Sequence, residues 1–232
     1  MAKKQFFAVV DTETTIDDTV ADFAIVIVDR HGEIHNQMAV MVKDHFESKE
    51  LFYIPGIKEG WSLEYARAKR AKYVEMLNNG TRMLASVASI NSWIAKAIGK
   101  YNPVLTAYNL PFDQNKSANT GIDLTGFSNS FCLWQAAVGN ICNRKDYRQF
   151  CLENHRFNKP TEHGNMTFQT NAEVVSGFLA GTISKEPHTA LEDAVYFEVP
   201  ILRAVIAKRD WKSKITPYNY RDHQVRNHFK AV

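Results

Sequence analysis

An unbroken apolar run, Phe6-Phe7-Ala8-Val9-Val10, lies near the start of the chain and leaves few options for its fold. A strand that is apolar on both faces has to be covered on both faces, as central strands of a sheet packed between helices are. Residues 23–29 and Ile34–Val42 are rich in β-branched side chains and flank a turn-forming segment, residues 29–33. Together the three segments predict an antiparallel meander.

The remainder of the chain has mainly helical patterns, with short strands between them. Helices are predicted at residues 62–78 and 82–98, each with a glycine just beyond its end, and a strand is predicted at residues 104–108. A further helix is predicted after Pro111 and Phe112, whereas residues 131–137 fit either a strand or a helix. Later helices are predicted at residues 145–154, Ala172–Ala180 and residues 189–208. This order predicts an α/β fold with a mixed sheet flanked by helices.

The bulk composition is that of an ordinary globular protein. The length of 232 residues suits a single domain spanning residues 1–232, and 45% of the residues are hydrophobic. The apolar runs are far too short for a membrane-spanning helix, and the first residues do not resemble a secretory signal. Three cysteines without paired spacing indicate a reducing compartment and no disulfide framework. A cytoplasmic location, without a membrane partner, is therefore predicted.

The net charge of +3 is small, but basic residues are concentrated near the C-terminus. Residues 208–232 hold seven Lys or Arg against two Asp, and aromatic residues are interleaved with them: Trp211, Tyr218, Tyr220 and Phe229. Such a tail, beginning at about residue 208, suits contact with phosphates and stacking on bases. A solvated tail is the alternative that composition leaves open.

Two acids follow the first strand directly, in Asp11-Thr12-Glu13. Residues two apart on a strand point to the same side, so both carboxylates are expected to face one pocket. Two buried carboxylates are costly unless a positive charge lies between them, and a divalent cation would provide it. The alternative is a pair of turn acids that cap a helix.

Two further elements carry acids where helices are predicted to begin. Asp113 follows the middle strand in Asn109-Leu110-Pro111-Phe112-Asp113, and Asp193 opens the long C-terminal helix in His188-Thr189-Ala190-Leu191-Glu192-Asp193. Taken separately, each acid is typical of a helix start, where the helix dipole favours negative charge.

In this order, the three elements resemble the three motifs of the DEDD superfamily of 3′→5′ exonucleases, in its histidine-bearing (DEDDh) branch. That branch includes ribonuclease T, oligoribonuclease and the proofreading subunits of bacterial replicases. The first motif, Asp-x-Glu-Thr-Thr, is matched by residues 11–15. The second, Asn-x-x-Phe-Asp, is matched by Asn109, Phe112 and Asp113; the third, His-x-Ala-x-x-Asp, by His188, Ala190 and Asp193.

The resemblance spans residue 6 to about residue 206. The residues around the motifs are most similar to those of small phage-encoded members, which would place the protein in the host cytoplasm. Two positions depart from the usual pattern: Ile16 stands where a glycine is usual, and Tyr108 where a histidine often precedes the motif-two asparagine. Neither removes a metal ligand. They affect how the terminal nucleotide would be held.

The resemblance implies a ribonuclease-H-like mixed sheet of five strands and a site with two Mg²⁺ or Mn²⁺ ions. Asp11 would bridge both ions, Glu13 and Asp193 would complete the first site, and Asp113 would support the second. His188 would act as general base, releasing nucleoside 5′-monophosphates from the 3′ ends of single-stranded DNA or RNA. The substrate contacts would come from Thr12, Thr14, Thr15, Asn109 and Phe112.

Several alternatives stay open at this stage. DNA is the favoured substrate, and short RNA is the runner-up. The chain could instead be a non-catalytic nucleic-acid-binding module or a replication-partner module, and several relatives are homodimers. A zinc site made of Cys142, Cys151, His155 and His163 is a rival metal hypothesis, although its spacing fits no common zinc finger. Residues 44–80 look specific to this chain and could modify a substrate channel.

Overall fold

The apolar run predicted to be a central strand does lie inside a sheet. In the computed structural model, which describes residues 4–49, 51 and 63–228, six strands form one sheet in the order β4-β3-β2-β1-β5-β6. The strands are β1 (Phe6–Thr14), β2 (Val20–Asp29), β3 (Ile34–Val42), β4 (Met83–Ala85), β5 (Val104–Ala107) and β6 (Ser130–Cys132).

The first three strands form the expected antiparallel meander, and β5 pairs parallel to β1 on its other side. All ten residues of β2 are buried. The α/β class with a mixed sheet flanked by helices is therefore confirmed. The register between β1 and β2 shifts between Glu13 and Thr14, and such bulges re-aim side chains near functional sites.

The expected strand count of five is too low by one, because β4 lies where the sequence predicted a helix from residue 82. Residues 83–85 pair parallel with β3. The helix begins only after Ser86, whose hydroxyl accepts the Ser89 N–H at 3.2 Å as an N-cap. Residues 131–137, which fitted either a strand or a helix, contain both, because β6 ends at Cys132 and a helix begins at Leu133.

Helices cover both faces of the sheet. Their bounds are α1 (Lys43–Ser48), α2 (Leu63–Asn78), α3 (Val87–Tyr101), α4 (Leu110–Thr120), α5 (Leu133–Ala137), α6 (Lys145–Glu153), α7 (Ala172–Ala180), α8 (Ala190–Asp193), α9 (Val199–Ile206) and α10 (Val225–His228). One core, with Ile90 and Ile94 of α3, lies against one face; the other, with Val174 of α7 and Ile201 of α9, lies against the opposite face. No helix in the described ranges is both long and apolar enough to cross a membrane.

The C-terminal helix predicted at residues 189–208 is interrupted by a wider turn. α8 runs directly into a π-helical turn, Ala194–Glu198, and this turn runs directly into α9. Wide turns of this kind are rare and are frequently found at functional sites, although a second one, Val138–Cys142, lies outside the acidic cavity described below.

The basic aromatic tail packs back onto the domain over its described part. Trp211 is 7% exposed and its ring lies 4.8 Å from that of Phe131, while His223 and Gln224 are also buried. The solvated-tail alternative is therefore wrong for these residues, and so is the expectation that Trp211 is available for stacking on a base. Phe229 lies outside the described residues.

Candidate active site

Three chain segments meet at one edge of the sheet. Asp11 and Glu13 lie near the end of β1, and the parallel strand β5 leads into α4, which carries Asp113 in its first turn. The carboxyl ends of parallel strands meet at the same edge, so this topology brings the second acid to the first two. The third segment, with His188 and Asp193, enters at the start of α8.

Together these segments enclose a cavity of about 290 Å³. It is lined by Asp11, Thr12, Glu13, Thr14, Tyr108, Asn109, Phe112, Asp113, Asn171, Ala172, Glu186, His188, Asp193 and Glu198. Nine of the ten site residues that the sequence predicts are therefore in the lining, and Thr15 is the exception. Thr15 instead lies buried in the β1–β2 turn, with its hydroxyl 2.7 Å from that of Thr19.

The first turn of α4 is held by a hydrogen bond from β1. Asn109 precedes the helix in the left-handed conformation, at φ 79°, and Asp113 is 3% exposed. Thr12 donates its hydroxyl hydrogen to Oδ1 of Asp113 at 2.8 Å. Thr12, which the sequence predicted as a substrate contact, thus orients a carboxylate in this structure.

The turn into α8 is braced from two sides. Buried Asp22 of β2 accepts the Ala190 N–H at 2.9 Å, and Arg82 pairs with both Asp22, at 3.6 Å, and Glu192. The Asp193 N–H donates to the Thr189 carbonyl at 3.0 Å. These contacts hold the backbone that carries Asp193.

Helix α2 contacts the backbone next to His188. Lys69 and Lys72 donate to the Pro187 carbonyl at 3.2 and 3.4 Å. His188 itself has φ 52°, a strained backbone conformation for a residue with a side chain. α2 belongs to residues 44–80, the segment predicted to be specific to this chain, of which residue 50 and residues 52–62 lie outside the described residues.

One set of three side chains in the cavity is close enough to share a cation. A ligand atom from each of Glu13, His188 and Asp193 lies within 4.8 Å of the others. The sequence predicted His188 as a base rather than a ligand, and its position is compatible with either role.

A second close set of this kind, Asp29, Glu33 and His35, lies in the β2–β3 hairpin. Its central carboxylate is already satisfied, because Lys4 and His35 each lie 3.1 Å from Asp29 and the His31 N–H donates to it at 2.8 Å. These partners hold the pKa of Asp29 well below its usual value. We interpret this set as a structural ion pair.

The carboxyls that line the cavity behave in the opposite way, because their pKa values are all raised. Burial raises the pKa of Glu13 to about 8, although nearby Lys69 opposes the shift. Burial likewise raises the pKa of Asp113 to about 7 and, with the charge of Glu186, that of Asp193 to about 7. The pKa of Asp11 is well above its ordinary value because of burial and then of the charge of Glu198.

His188 shifts in the direction that keeps its ring neutral. Burial, and then the positive charge of Lys69, lower the pKa of His188 below its ordinary value. The negative charge of Glu173 acts against this shift. A neutral imidazole near pH 7 can accept a proton or bind a cation.

Sequence reasoning missed two carboxyls in the lining, Glu186 and Glu198. Glu186 precedes the third motif by two residues, in a segment with no helical or strand pattern. Residues five apart on an α-helix point about 140° away from each other, so Glu198 would be expected to face away from Asp193. The π-helical turn between them changes this relation and brings Glu198 into the cavity wall.

The residues present fit divalent cations. Two buried oxygens in the lining, Oδ1 of Asp193 and Oε2 of Glu198, lack a hydrogen-bond partner among the described residues. Six carboxyls and one imidazole form the donor set, and hard oxygen donors favour Mg²⁺ or Mn²⁺ over softer metals.

A second cavity, of about 360 Å³, adjoins the first and shares Tyr108, Asn109 and Asn171 with it. Trp134 and Tyr218 lie in its wall, with their rings stacked at 5.4 Å and 23°. Trp134 is held there by donating its ring N–H to the Thr170 hydroxyl at 3.0 Å.

The rival zinc hypothesis is wrong. Cys142 and Cys151 are free thiols within the apolar core, whereas His155 and His163 are exposed. Across residues 4–49, 51 and 63–228, these four side chains do not form a group of metal-binding dimensions.

No protein-family model matches the chain, and no curated protein sequence matches it. Solved structures of exonuclease I from E. coli align with most of it. A zinc-bound complex with single-stranded DNA is 15% identical over 88% of this chain and 41% of that one, with a TM-score of 0.48. A complex with a 5cy-dT13 oligonucleotide is 15% identical over 90% of this chain and 42% of that one, with a TM-score of 0.49.

A third structure, of exonuclease I with the inhibitor BCBP, is 13% identical over 90% of this chain and 43% of that one, with a TM-score of 0.49. The chain thus spans less than half the length of these proteins. Likenesses of this size carry no inference about activity or substrate.

Proposed function

We propose that the protein is a metal-dependent 3′→5′ exonuclease that releases nucleoside 5′-monophosphates from single-stranded nucleic acid. The observation that carries the proposal is the set of acids and one histidine around a single cavity, with Glu13, His188 and Asp193 within 4.8 Å of one another. The polarity of cleavage comes from the motif resemblance, which does not distinguish DNA from RNA; DNA is the favoured substrate and short RNA is the alternative.

The acids would hold the cations that this chemistry requires. Two divalent cations neutralise charge on a scissile phosphate and lower the pKa of a bound water. Glu13 and Asp193 would hold one, Asp113 would support the other, and Asp11 would serve both. Without cations, six carboxyls in one cavity would repel a phosphodiester, so this arrangement does not suit a module that only binds nucleic acid.

His188 would take the proton from the attacking water. Its lowered pKa keeps the ring neutral at neutral pH, which a general base requires. The brace formed by α2 and the Asp22 contact to Ala190 would fix the position of the ring relative to Glu13 and Asp193.

The second cavity offers a place for a base of the strand. Base stacking on aromatic rings tolerates all four bases, and it requires an unpaired strand. Trp134 provides such a ring next to the acidic cavity, with Tyr218 stacked on both Trp134 and His223. Asn109 and Asn171 line both cavities. A duplex end would have to separate before its bases could reach this wall.

Asp11→Asn tests the proposal with a matched control. Asp11 lines the cavity, whereas Asp123 is exposed and accepts hydrogen bonds from Thr125 that an asparagine oxygen can also accept. With 5′-labelled single-stranded DNA and Mg²⁺ or Mn²⁺, the wild type and Asp123→Asn should shorten the strand and Asp11→Asn should not. EDTA should stop all cleavage. Equal activity of the two variants would refute the assignment of the site.

A further inference from the structure

Glu198 is a buried acid that lies outside the three sequence motifs. It is 4% exposed, it ends the π-helical turn that follows Asp193, and it lines the acidic cavity. The Tyr108 N–H donates to its Oε1 at 3.2 Å. This contact accounts for only one of its two oxygens.

Oε2 is buried and makes no hydrogen bond to the described residues. Buried polar atoms in folded proteins almost always have a partner, so an orphan oxygen in a cavity wall points to a bound group. The charged groups that act most strongly on Glu198 are the acids Asp113, Glu186 and Asp193.

Glu198 acts on the same carboxyls that would hold the second cation. It is the charged group that contributes most to raising the pKa of Asp11, and Asp113 comes next. Asp11, Asp113 and Glu198 all line this cavity, and none of them belongs to the set of Glu13, His188 and Asp193. Among the described residues, the ligand atoms of Asp11, Asp113 and Glu198 do not form a group within 4.8 Å, as those of Glu13, His188 and Asp193 do.

We propose that Glu198 is a metal ligand, which together with Asp11 and Asp113 holds the second divalent cation. This inference rests on the proposed function and extends it to a residue that the motifs do not contain. The set of Glu13, His188 and Asp193, whose ligand atoms already lie within 4.8 Å of one another, makes the tighter of the two cation sites. Oε1 keeps the contact to Tyr108, and Oε2 faces the cation.

Mn²⁺ binding measured by electron paramagnetic resonance and calorimetry, without substrate, tests the proposal. The variant is Glu198→Gln, whose side-chain oxygen can still accept the Tyr108 N–H. The control is Glu153→Gln, which removes an exposed carboxylate outside the cavity lining and leaves an oxygen that can still accept the Gln149 hydrogen bond. Wild type and control should bind two Mn²⁺ per chain. Glu198→Gln should keep the tighter site and weaken the other at least tenfold.

The outcomes separate this inference from the proposed function. If the wild type binds two Mn²⁺ and Glu198→Gln binds both with unchanged affinity, Glu198 is not a ligand while the nuclease proposal stands. If the wild type binds no Mn²⁺, both fall. Should Glu198→Gln fail to fold, Glu198→Met fills a similar volume without charge and is expected to show the same loss of one site.

Discussion

Asp193→Asn should stabilise the metal-free protein, and the gain should grow with pH. The carboxyl of Asp193 has its pKa raised from 3.8 to about 7 because it is buried beside other acids. At pH values between these two pKa values, Asp193 is ionised in the unfolded chain but keeps its proton in the folded chain. The wild type therefore loses folding stability as pH rises through this window, and the loss is complete above about pH 7.

The size of the effect follows from the shift. Each pH unit in the window costs about 1.4 kcal/mol, so the wild type pays about 1.5 kcal/mol at pH 5 and about 4 kcal/mol above pH 7. Asparagine avoids this cost, so its advantage should grow by about 2–3 kcal/mol between pH 5 and pH 8. For a chain of this length that is a change of roughly 4–12 °C in the difference between melting temperatures.

Thermal and urea unfolding in EDTA at pH 5 and pH 8 would measure this double difference. Asp123→Asn is the control, since hydrogen bonds from Thr125 lower the pKa of Asp123 and no growing gain is expected there. Asp193→Asn should also abolish cleavage at saturating Mg²⁺. A gain in stability that is the same at both pH values would refute the buried-acid reasoning, and more than about a tenth of wild-type activity would refute the ligand role.

Four further predictions concern other residues and the metal. His188→Ala should lower turnover by about 10²–10⁴-fold, which is the usual contribution of a positioned base. The wild-type rate should increase with pH in the range below pH 6.5, and this increase should disappear in the variant. Unchanged Mn²⁺ affinity in His188→Ala would identify a base, and weakened affinity a ligand. The affinity of the wild type for Mn²⁺ should increase from pH 6 to pH 8.5, and binding should release protons, because the pKa values of Glu13 and Asp193 are raised to about 8 and about 7. Calorimetry in two buffers of different ionisation enthalpy measures the number of protons released. Arg82→Met should destabilise the fold by about 3–5 kcal/mol in urea unfolding, because it leaves buried Asp22 without its ion pair. Tyr218→Ala should raise KM for single-stranded substrate more than it lowers kcat, whereas a fall in kcat alone would place the strand elsewhere.

The periodicity of the sequence was enough for most of the fold. The apolar run of β1 and the β-branched residues of Ile34–Val42 predicted the meander, because burial on one or both faces leaves a direct pattern. β4 was missed because Met83–Ala85 is a three-residue edge strand, too short to produce an alternating pattern. Its pairing depends on β3, which lies far away in sequence.

The candidate site was predictable where its residues belong to motifs. Asp11, Glu13, Asp113, His188 and Asp193 line one cavity, as the motif order predicts. Glu198 was not predictable, because the geometry that turns it inward is a π-helical turn and the spacing of an α-helix would face it elsewhere. The brace on His188 from α2 was also hidden, since it joins Lys69 to Pro187 across 118 positions of the chain.

The C-terminal tail shows how composition alone misleads. Its charges and rings predicted either a nucleic-acid contact or a solvated segment. In the structure Trp211 belongs to the core and Tyr218 stacks on Trp134 at the second cavity. Deleting the residues after Trp211 would remove buried His223, so a point variant at Tyr218 is the cleaner test of strand binding.

The central claim is tested most directly by the products of cleavage. Single-stranded DNA, duplex DNA and short RNA, each labelled at the 5′ end, would be incubated with the wild type and Mg²⁺ or Mn²⁺ and resolved by length. We predict a ladder that shortens one nucleotide at a time from the 3′ end of the single strand, with release of nucleoside 5′-monophosphates. Intact strands with both metals, or internal cuts in place of a ladder, would contradict the account.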